Sequence, residues 1–462
     1  MREVDILIKD AEWILTLDKE RRIIRSGSMA IVGDRIEEVG SHRDLAGKYR
    51  GKKVIRGRNK LVLPGFVEGH CHNTQHLGRG AGDDVDIQRW LFERIYPLEA
   101  MMTSDEARLA ALHCQLEMIK TGTTCFIDPG SYYPEETARS AEVSGMRGIV
   151  CRTSFDQPVS AIGKLPSTCF TETPEEALQR AEETVKQWHG AWNDRIRASF
   201  SIRVIQNYSD SMCVKVKELA DTYGVLVQSH IAGAPFSARD IERLERLGII
   251  DHNWLMIHMG WVSPGELRLL KEKDVKVAHC PGASLHGGFG SISHGLFPEM
   301  VEMGITICLG SDAAPAGNYV DMVRNMYLAS CCFKDARLDA RIMPPEVAVE
   351  MATVNGARAA LWEDKIGSLE TGKKADIAIF DIDRPEWRPV LNPVANLVYS
   401  ANGSSADTVI VDGKILMEGR RVLTLNEEEI LAESQKAAES LAERAGLEKV
   451  VRSSWPILGV EL

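Results

Sequence analysis

The chain has 462 residues, 44% of them hydrophobic, enough to bury a large core divided between one big domain and something smaller. Fifty-five basic residues against 66 acidic ones give a net charge of -11, which argues against a broad phosphate-binding face and against nucleic acid as a partner. Its ten cysteines are scattered, unlike the dense framework of a small secreted domain, so a reduced cytoplasmic setting is expected.

The amino terminus, Met1 to Asp5, alternates charged and apolar residues and lacks a signal-peptide core. No stretch approaches the ~20 apolar residues of a membrane span, so no membrane partner is expected. From Val4 to Val62, short alternating runs such as Ile6-Leu7-Ile8, Ser28 to Arg35 and Ile36 to Gly40 are broken by turn signals and predict a small antiparallel sheet. The apolar run Leu61 to Val67 then leads into His70-Cys71-His72. Histidines one residue apart on a strand project to the same side.

A helix is predicted after Thr103, which opens a capping box with Glu106. Leu109, Leu112, Leu116 and Ile119 recur at helical spacing, and Gly122 supplies the stop. Further strands are expected at Thr123–Asp128, Gly148–Cys151, Ala198–Ile202, Val225–His230, Trp254–His258, Val275–Ala278 and Ile305–Asp312. With Leu61–Val67 these make eight strand segments separated by helix-like ones, the number that closes a (β/α)8 barrel in the α/β class.

Toward the carboxyl end, Ala375–Asp381 and Thr408–Lys414 again read as strands. They are expected to join the amino-terminal strands in a discontinuous β-sandwich, giving limits of 1–62 and 366–424 for the sandwich, 63–365 for the barrel and 425–462 for a helical tail. That tail is expected to be a docking helix or a subunit contact, and a homo-oligomer is expected. Gly367 to Lys374 has the glycine and lysine spacing of a phosphate loop but ends without Ser or Thr and precedes a strand, so it reads as a turn.

The polar residues that end these strands carry the chemistry. A divalent ion needs three or four nitrogen or oxygen ligands from rigid elements, and His70, His72, His230 and Asp312 each end an apolar run. A cation in such a set lowers the pKa of water toward ~7. Asp312 is expected to serve both as ligand and as proton shuttle, with His258, one strand over, polarising a substrate oxygen or orienting the water. Cys71 and Cys280 are expected to be filler, since alternation turns Cys71 away from its neighbours.

Asn73 is expected either to hold substrate or water, or to cap the strand end as a turn residue. His279 either contacts substrate or hydrogen-bonds main chain. Trp90, Tyr96 and Trp261 are candidates for an apolar wall or for core, and His286 to His294 forms a loop that either closes over substrate or stays on the surface.

These motifs, Pro64-Gly65-Phe66-Val67-Glu68-Gly69-His70-Cys71-His72, Ser229-His230, Ile257-His258, Ala278-His279-Cys280-Pro281, Gly310-Ser311-Asp312 and Gly367 to Ala378, resemble the metal-dependent amidohydrolase superfamily over nearly the whole chain. The branch is the one containing triazine hydrolases, heterocycle deaminases, and phenylurea and thiocarbamate hydrolases. The resemblance implies that His70, His72, His230 and Asp312 bind one metal and that His258 assists catalysis. No lysine stands at the end of the fourth strand, where Gln206 is a further candidate for substrate contact, so a mononuclear site is implied.

Deaminases of this branch carry a glutamate three residues after the fifth-strand histidine, where it protonates the ring and the leaving ammonia. Here that position is Gly233, which transfers no proton. The expected activity is therefore hydrolysis of a non-peptide C–N bond in a small amide, urea, carbamate or thiocarbamate. The alternative is an aminohydrolase, deaminase or dechlorinase, acting on a triazine, purine or pterin. An inactive scaffold is the third reading, disfavoured because all four ligand residues are present. Zinc is the expected ion; iron, cobalt and manganese suit the same donors.

Overall fold

The computed structural model describes residues 1–167, 172–448 and 455. The chain begins with β1 (Arg2–Leu15), β2 (Ile23–Val32), β3 (Arg35–Ser41), β4 (Tyr49–Arg56) and β5 (Lys60–Pro64). β1, β2 and β3 pair antiparallel, as the alternation predicts, but β4 and β5 both run parallel to β1, so the amino-terminal sheet is mixed rather than antiparallel. The cause lies within β1, which breaks register between Ile8 and Ala11, with Asp10 at φ +55°. The bulge re-aims the strand, so its first half takes β4 and its second half β5 as neighbour.

The apolar run Leu61–Val67 is not one strand. It divides at Pro64-Gly65 into β5 and β6 (Phe66–Glu68), which belong to different sheets. Proline ends a ladder by withholding a donor, and Gly65 admits a close approach: a Cβ there would stand 2.1 Å from Thr124 Cγ2.

β6 opens the barrel. It is followed by β7 (Thr123–Ile127), β8 (Arg147–Cys151), the small hairpin β9 (Val159–Ser160) and β10 (Gly163–Lys164), then β11 (Ile196–Val204), β12 (Val227–Ile231), β13 (Trp254–His258), β14 (Lys276–His279) and β15 (Ile307–Leu309). Apart from the hairpin these form one eight-stranded parallel sheet with β6 and β15 at its edges. The segment after β6 closes it: Gly69 N–H donates to Leu309 O at 2.8 Å, Asp312 N–H to His70 O at 2.9 Å, and His72 N–H to Asp312 O at 2.7 Å. The side chains of Phe126, Phe200, Trp254 and Phe297 are fully buried in the core between barrel and helices. Each such side chain contributes about 1.5–3 kcal/mol through its burial.

The chain then returns to the first sheet with β16 (Ile377–Asp381), β17 (Ala406–Val411), β18 (Lys414–Glu418) and β19 (Arg421–Val422). β16 pairs antiparallel with β5, so strands from both chain ends make one nine-stranded sheet. It has its own core, in which Ile6, Ile31 and Val62 meet Leu369, Ile377 and Ile410. Gly367 to Lys374 is a connecting turn, as expected from its missing hydroxyl residue, and Lys374 pairs with Asp34.

The helix Ser104–Lys120 has the anticipated Thr103–Glu106 capping box. Its buried face differs from the leucine stripe: Ala107, Ala110 and Ala111 are buried, while Leu109 and Leu112 are only half-buried. The helix is covered on a second side by the carboxyl-terminal helix Glu427–Arg444, and small residues admit the close packing of Leu441 on Ala107 and Ala110. Residues 449–454 and 456–462 of the predicted tail lie outside the described residues. Among the described residues, no helix is long and apolar enough to cross a membrane.

Candidate metal centre

His70 and His72 lie just beyond β6, not within it, on the segment that closes the barrel against Asp312. Closure therefore brings the histidine pair and the carboxylate together through main-chain hydrogen bonds. β12 delivers His230 and β13 ends in His258. One nitrogen or oxygen from each of His70, His72, His230 and Asp312 lies within 4.8 Å of all the others. His70 Nε2 is 3.4 Å and His72 Nε2 3.7 Å from Asp312 Oδ1, and His72 Nε2 is 3.2 Å from His230 Nε2.

The protonation of this group suits a cation. His230 Nδ1–H donates to the Arg203 carbonyl at 2.6 Å, which leaves the Nε2 lone pair facing the other imidazoles. Burial holds His70 down to about 3 and His258 to about 4, and holds His72 and His230 well below the ordinary range. All are neutral at neutral pH, the form a metal requires. His70 Nε2, the nitrogen that faces Asp312, is buried without a hydrogen-bond partner. Orphaned atoms of this kind cost about 1–3 kcal/mol each, and a bound cation offsets that cost. The donor set therefore fits a divalent ion.

Backbone strain collects at the same place. Ala232, His258 and Asp312 have φ of +47°, +75° and +69°, in the left-handed region that non-glycine residues avoid. Each costs about 1–3 kcal/mol and persists only where surrounding contacts impose it. His258 Nε2 stands 3.8 Å from Asp312 Oδ2, the oxygen other than the one facing His70 and His72. Cys71 points away from the cluster, with Sγ 3.6 Å from Cys114 Sγ.

Beside the cluster lies a cavity whose apolar wall includes Ile87, Trp90, Leu91, Val204, Phe236 and Phe289. Of the aromatic candidates, Trp90 is on this wall, Tyr96 lies under the Arg203 guanidinium, and Trp261 stacks on His294. The segment His286 to His294 is not all loop, since the helix Pro281–Gly287 includes His286; Phe289 beyond it lines the cavity. Arg203 is held by two hydrogen bonds to Glu99, at 2.8 and 2.9 Å, which neutralise its charge. Gly233 lies on the wall, where a Cβ would sit 3.1 Å from His258 Cδ2, so the glycine makes room for that ring.

Gln206 lines the cavity. Asn73 is not among the lining residues: its Nδ2 donates to Cys71 O at 3.1 Å and its Oδ1 accepts from Gln115 at 3.4 Å. His279 is absent from the wall too. The helix Phe297–Glu302 covers it, with the Phe297 ring centroid 3.9 Å away, and neither ring nitrogen finds the main-chain partner that one reading expects.

Burial, with the charge of His258 as a smaller cause, holds His279 down at about 3 against an ordinary 6.5. As pH falls below 6.5, the unfolded chain takes up a proton that the native state refuses, so this site removes stability progressively down to about pH 3. Urea midpoints measured between about pH 7 and 4 should fall less steeply in His279→Phe than in the unmodified protein. Equal slopes would refute this account of the site.

The sequence reading missed Glu68. It is fully buried and accepts hydrogen bonds from Ser311 N–H and Ser311 Oγ, both at 2.7 Å, so it braces the residue next to Asp312. Burial pushes its carboxyl up to about 8. Asn325 extends the brace by donating to Ser311 Oγ at 2.9 Å and accepting from Tyr319 at 2.9 Å. The available signal was a glutamate inside an apolar strand two residues before His70.

Known proteins share this architecture. The amidohydrolase family model matches residues 61–416. A 5'-deoxyadenosine deaminase of Methanosarcina mazei is 33% identical over 451 residues, covering 95% of this chain and 99% of its own. A 5-methylthioadenosine/S-adenosylhomocysteine deaminase of Thermoanaerobacter pseudethanolicus is 30% identical, with 96% and 100% covered. Among solved structures, an adenosine deaminase from Xanthomonas campestris with bound zinc superimposes with a TM-score of 0.89 at 23% identity, over 96% of this chain and 99% of that one. A triazine hydrolase from Arthrobacter aurescens gives 0.84 at 20% identity, over 94% and 99%. The two structures share the fold, and the family model covers most of the chain. The protein thus belongs to the amidohydrolase family, hydrolases acting on carbon–nitrogen bonds other than peptide bonds.

Proposed function

We propose that the protein hydrolyses the C–N bond of an amide, urea, carbamate or thiocarbamate that carries an apolar substituent. The observation that carries this reading is Gly233: among the described residues lining the cavity, Asp312 is the sole carboxylate, and no second acid stands ready to protonate a heterocycle. His70, His72, His230 and Asp312 would hold a divalent ion, for which we propose zinc, and when bound it would supply a more acidic water and a polarised carbonyl oxygen. Asp312 takes the proton of the attacking water and returns it to the departing amine, so a carbonyl substrate needs no second acid, whereas a ring nitrogen needs a proton donor of its own. His258, neutral at working pH, uses Nε2 to orient the water or the substrate oxygen. The apolar wall accommodates the substituent.

A second reading, an aminohydrolase acting on a purine-like heterocycle, is favoured by the deaminase names of the relatives. Metal-replete protein screened against anilides, arylureas, carbamates and aminated heterocycles separates the two: amine release supports the first, ammonia release the second. Under either reading a chelator should take turnover to background, and about one equivalent of zinc per chain should restore it. Full activity in the metal-stripped protein would remove the cation from the reaction.

A further inference from the structure

A buried guanidinium stands beside the candidate cation site, and one carboxylate balances it. Arg203, near the end of β11, is 2% exposed and lines the same cavity as His72, His230 and Asp312. Glu99, in the helix Tyr96–Met101, is 5% exposed and accepts from both terminal nitrogens of Arg203, from Nη1 at 2.9 Å and from Nη2 at 2.8 Å. Among the described residues it is the sole ion-pair partner of Arg203. Charges this far from water are screened little.

The pair is built into the frame of the site. Glu99 Oε1 also accepts from Gln75 Nε2 at 2.8 Å, and the Gln75 N–H donates to His72 O at 3.2 Å. On the other side, the Arg203 carbonyl accepts from His230 Nδ1 at 2.6 Å. Glu99 therefore stands between the segments that carry two of the four ligand residues.

The guanidinium is felt across that distance. After burial, its charge is the next cause that holds His70 and His72 below the ordinary histidine range. A positive charge that disfavours a proton on these rings also disfavours a cation among them, and more strongly when the cation is divalent. With Glu99 ionised against it, the pair presents no net charge to the site.

We propose that Glu99 is a positioning residue whose negative charge cancels that of Arg203, so that a divalent cation binds tightly to His70, His72, His230 and Asp312. This rests on the cation reading of the site and is independent of which substrate the cavity takes.

The test is metal binding by the full-length protein after metal is stripped from it, with zinc affinity read by competition against a chromogenic chelator at neutral pH. Glu99→Gln, which keeps the shape and removes the charge, should weaken zinc binding by about tenfold or more. Combining it with Arg203→Met removes both charges, keeps the main-chain acceptor of His230, and should return the affinity to within about threefold of wild type. A merely structural defect is not repaired by a second substitution. Cobalt(II) at saturation supplies an independent readout: its visible spectrum should be the same in wild type and Glu99→Gln, because the ligands keep their places.

Unchanged zinc affinity in Glu99→Gln, a double variant as weak as the single one, or an altered cobalt spectrum overturns this proposal and leaves the cation site standing. Wild-type protein that binds neither metal overturns the cation reading itself. If Glu99→Gln does not fold, Arg203→Met decides: zinc affinity at or above that of wild type is expected, and a weaker one refutes the charge account.

Discussion

Asp312→Asn is expected to fold normally and to lose turnover by about 10²- to 10⁴-fold, the range attributed to a positioned proton-transfer group. The two carboxylate oxygens face different partners: Oδ1 faces His70 and His72, and Oδ2 faces His258 at 3.8 Å. An amide of the same shape keeps an oxygen for the cation but takes up no proton, so the shuttle fails before the ligand set does. The fold should survive because Asp312 closes the barrel through its main chain, donating to His70 O and accepting from His72 N–H. Asparagine also tolerates the φ of +69° better than most residues. The check is kcat beside metal content and a melting curve. Undiminished turnover would remove Asp312 from the mechanism.

The largest effect on stability is expected at the junction of barrel and end sheet. Arg147, at the start of β8, is fully buried and donates to Asp376 Oδ2 at 2.7 Å and Oδ1 at 3.2 Å. It also pairs with Asp412, just beyond β17, and lies over the Trp362 ring with its guanidinium carbon 5.3 Å from the centroid. Asp376→Ala leaves the guanidinium buried with half its partners and leaves the Asp412 N–H, which Asp376 Oδ1 accepts at 2.9 Å, without an acceptor. Removing one partner of a buried pair costs about 3–5 kcal/mol, against about 0–1 kcal/mol for an exposed one. The loss should appear as a lower urea midpoint, while Arg341→Ala, removing an exposed pair with Asp339, should move it little. Equal effects from the two substitutions would refute this account of the junction.

The eight barrel strands were legible because each is an apolar run ended by turn or polar residues, and that pattern depends only on local burial. The capping box at Thr103 was legible for the same reason, being made of residues three apart. The break at Pro64-Gly65 is not legible in the same way, because an unbroken apolar run does not say which sheet each half joins. The buried face of Ser104–Lys120 was misjudged because a second helix, distant in sequence, covers it.

The sequence by itself determined the candidate donor set, two imidazoles after one strand with a third imidazole and a carboxylate from two others, and the absence of an acid at Gly233. Those are matters of residue type and order. The tertiary structure alone decided that Gln206 reaches the cavity while Asn73 and His279 do not, that Glu68 braces Ser311, and that Glu99 pairs with Arg203. The physical reason is that a side chain's direction beyond a strand end depends on the local backbone turn, here with positive φ at Ala232, His258 and Asp312. Pairing between distant segments imposes those turns, and no periodicity in the chain encodes them.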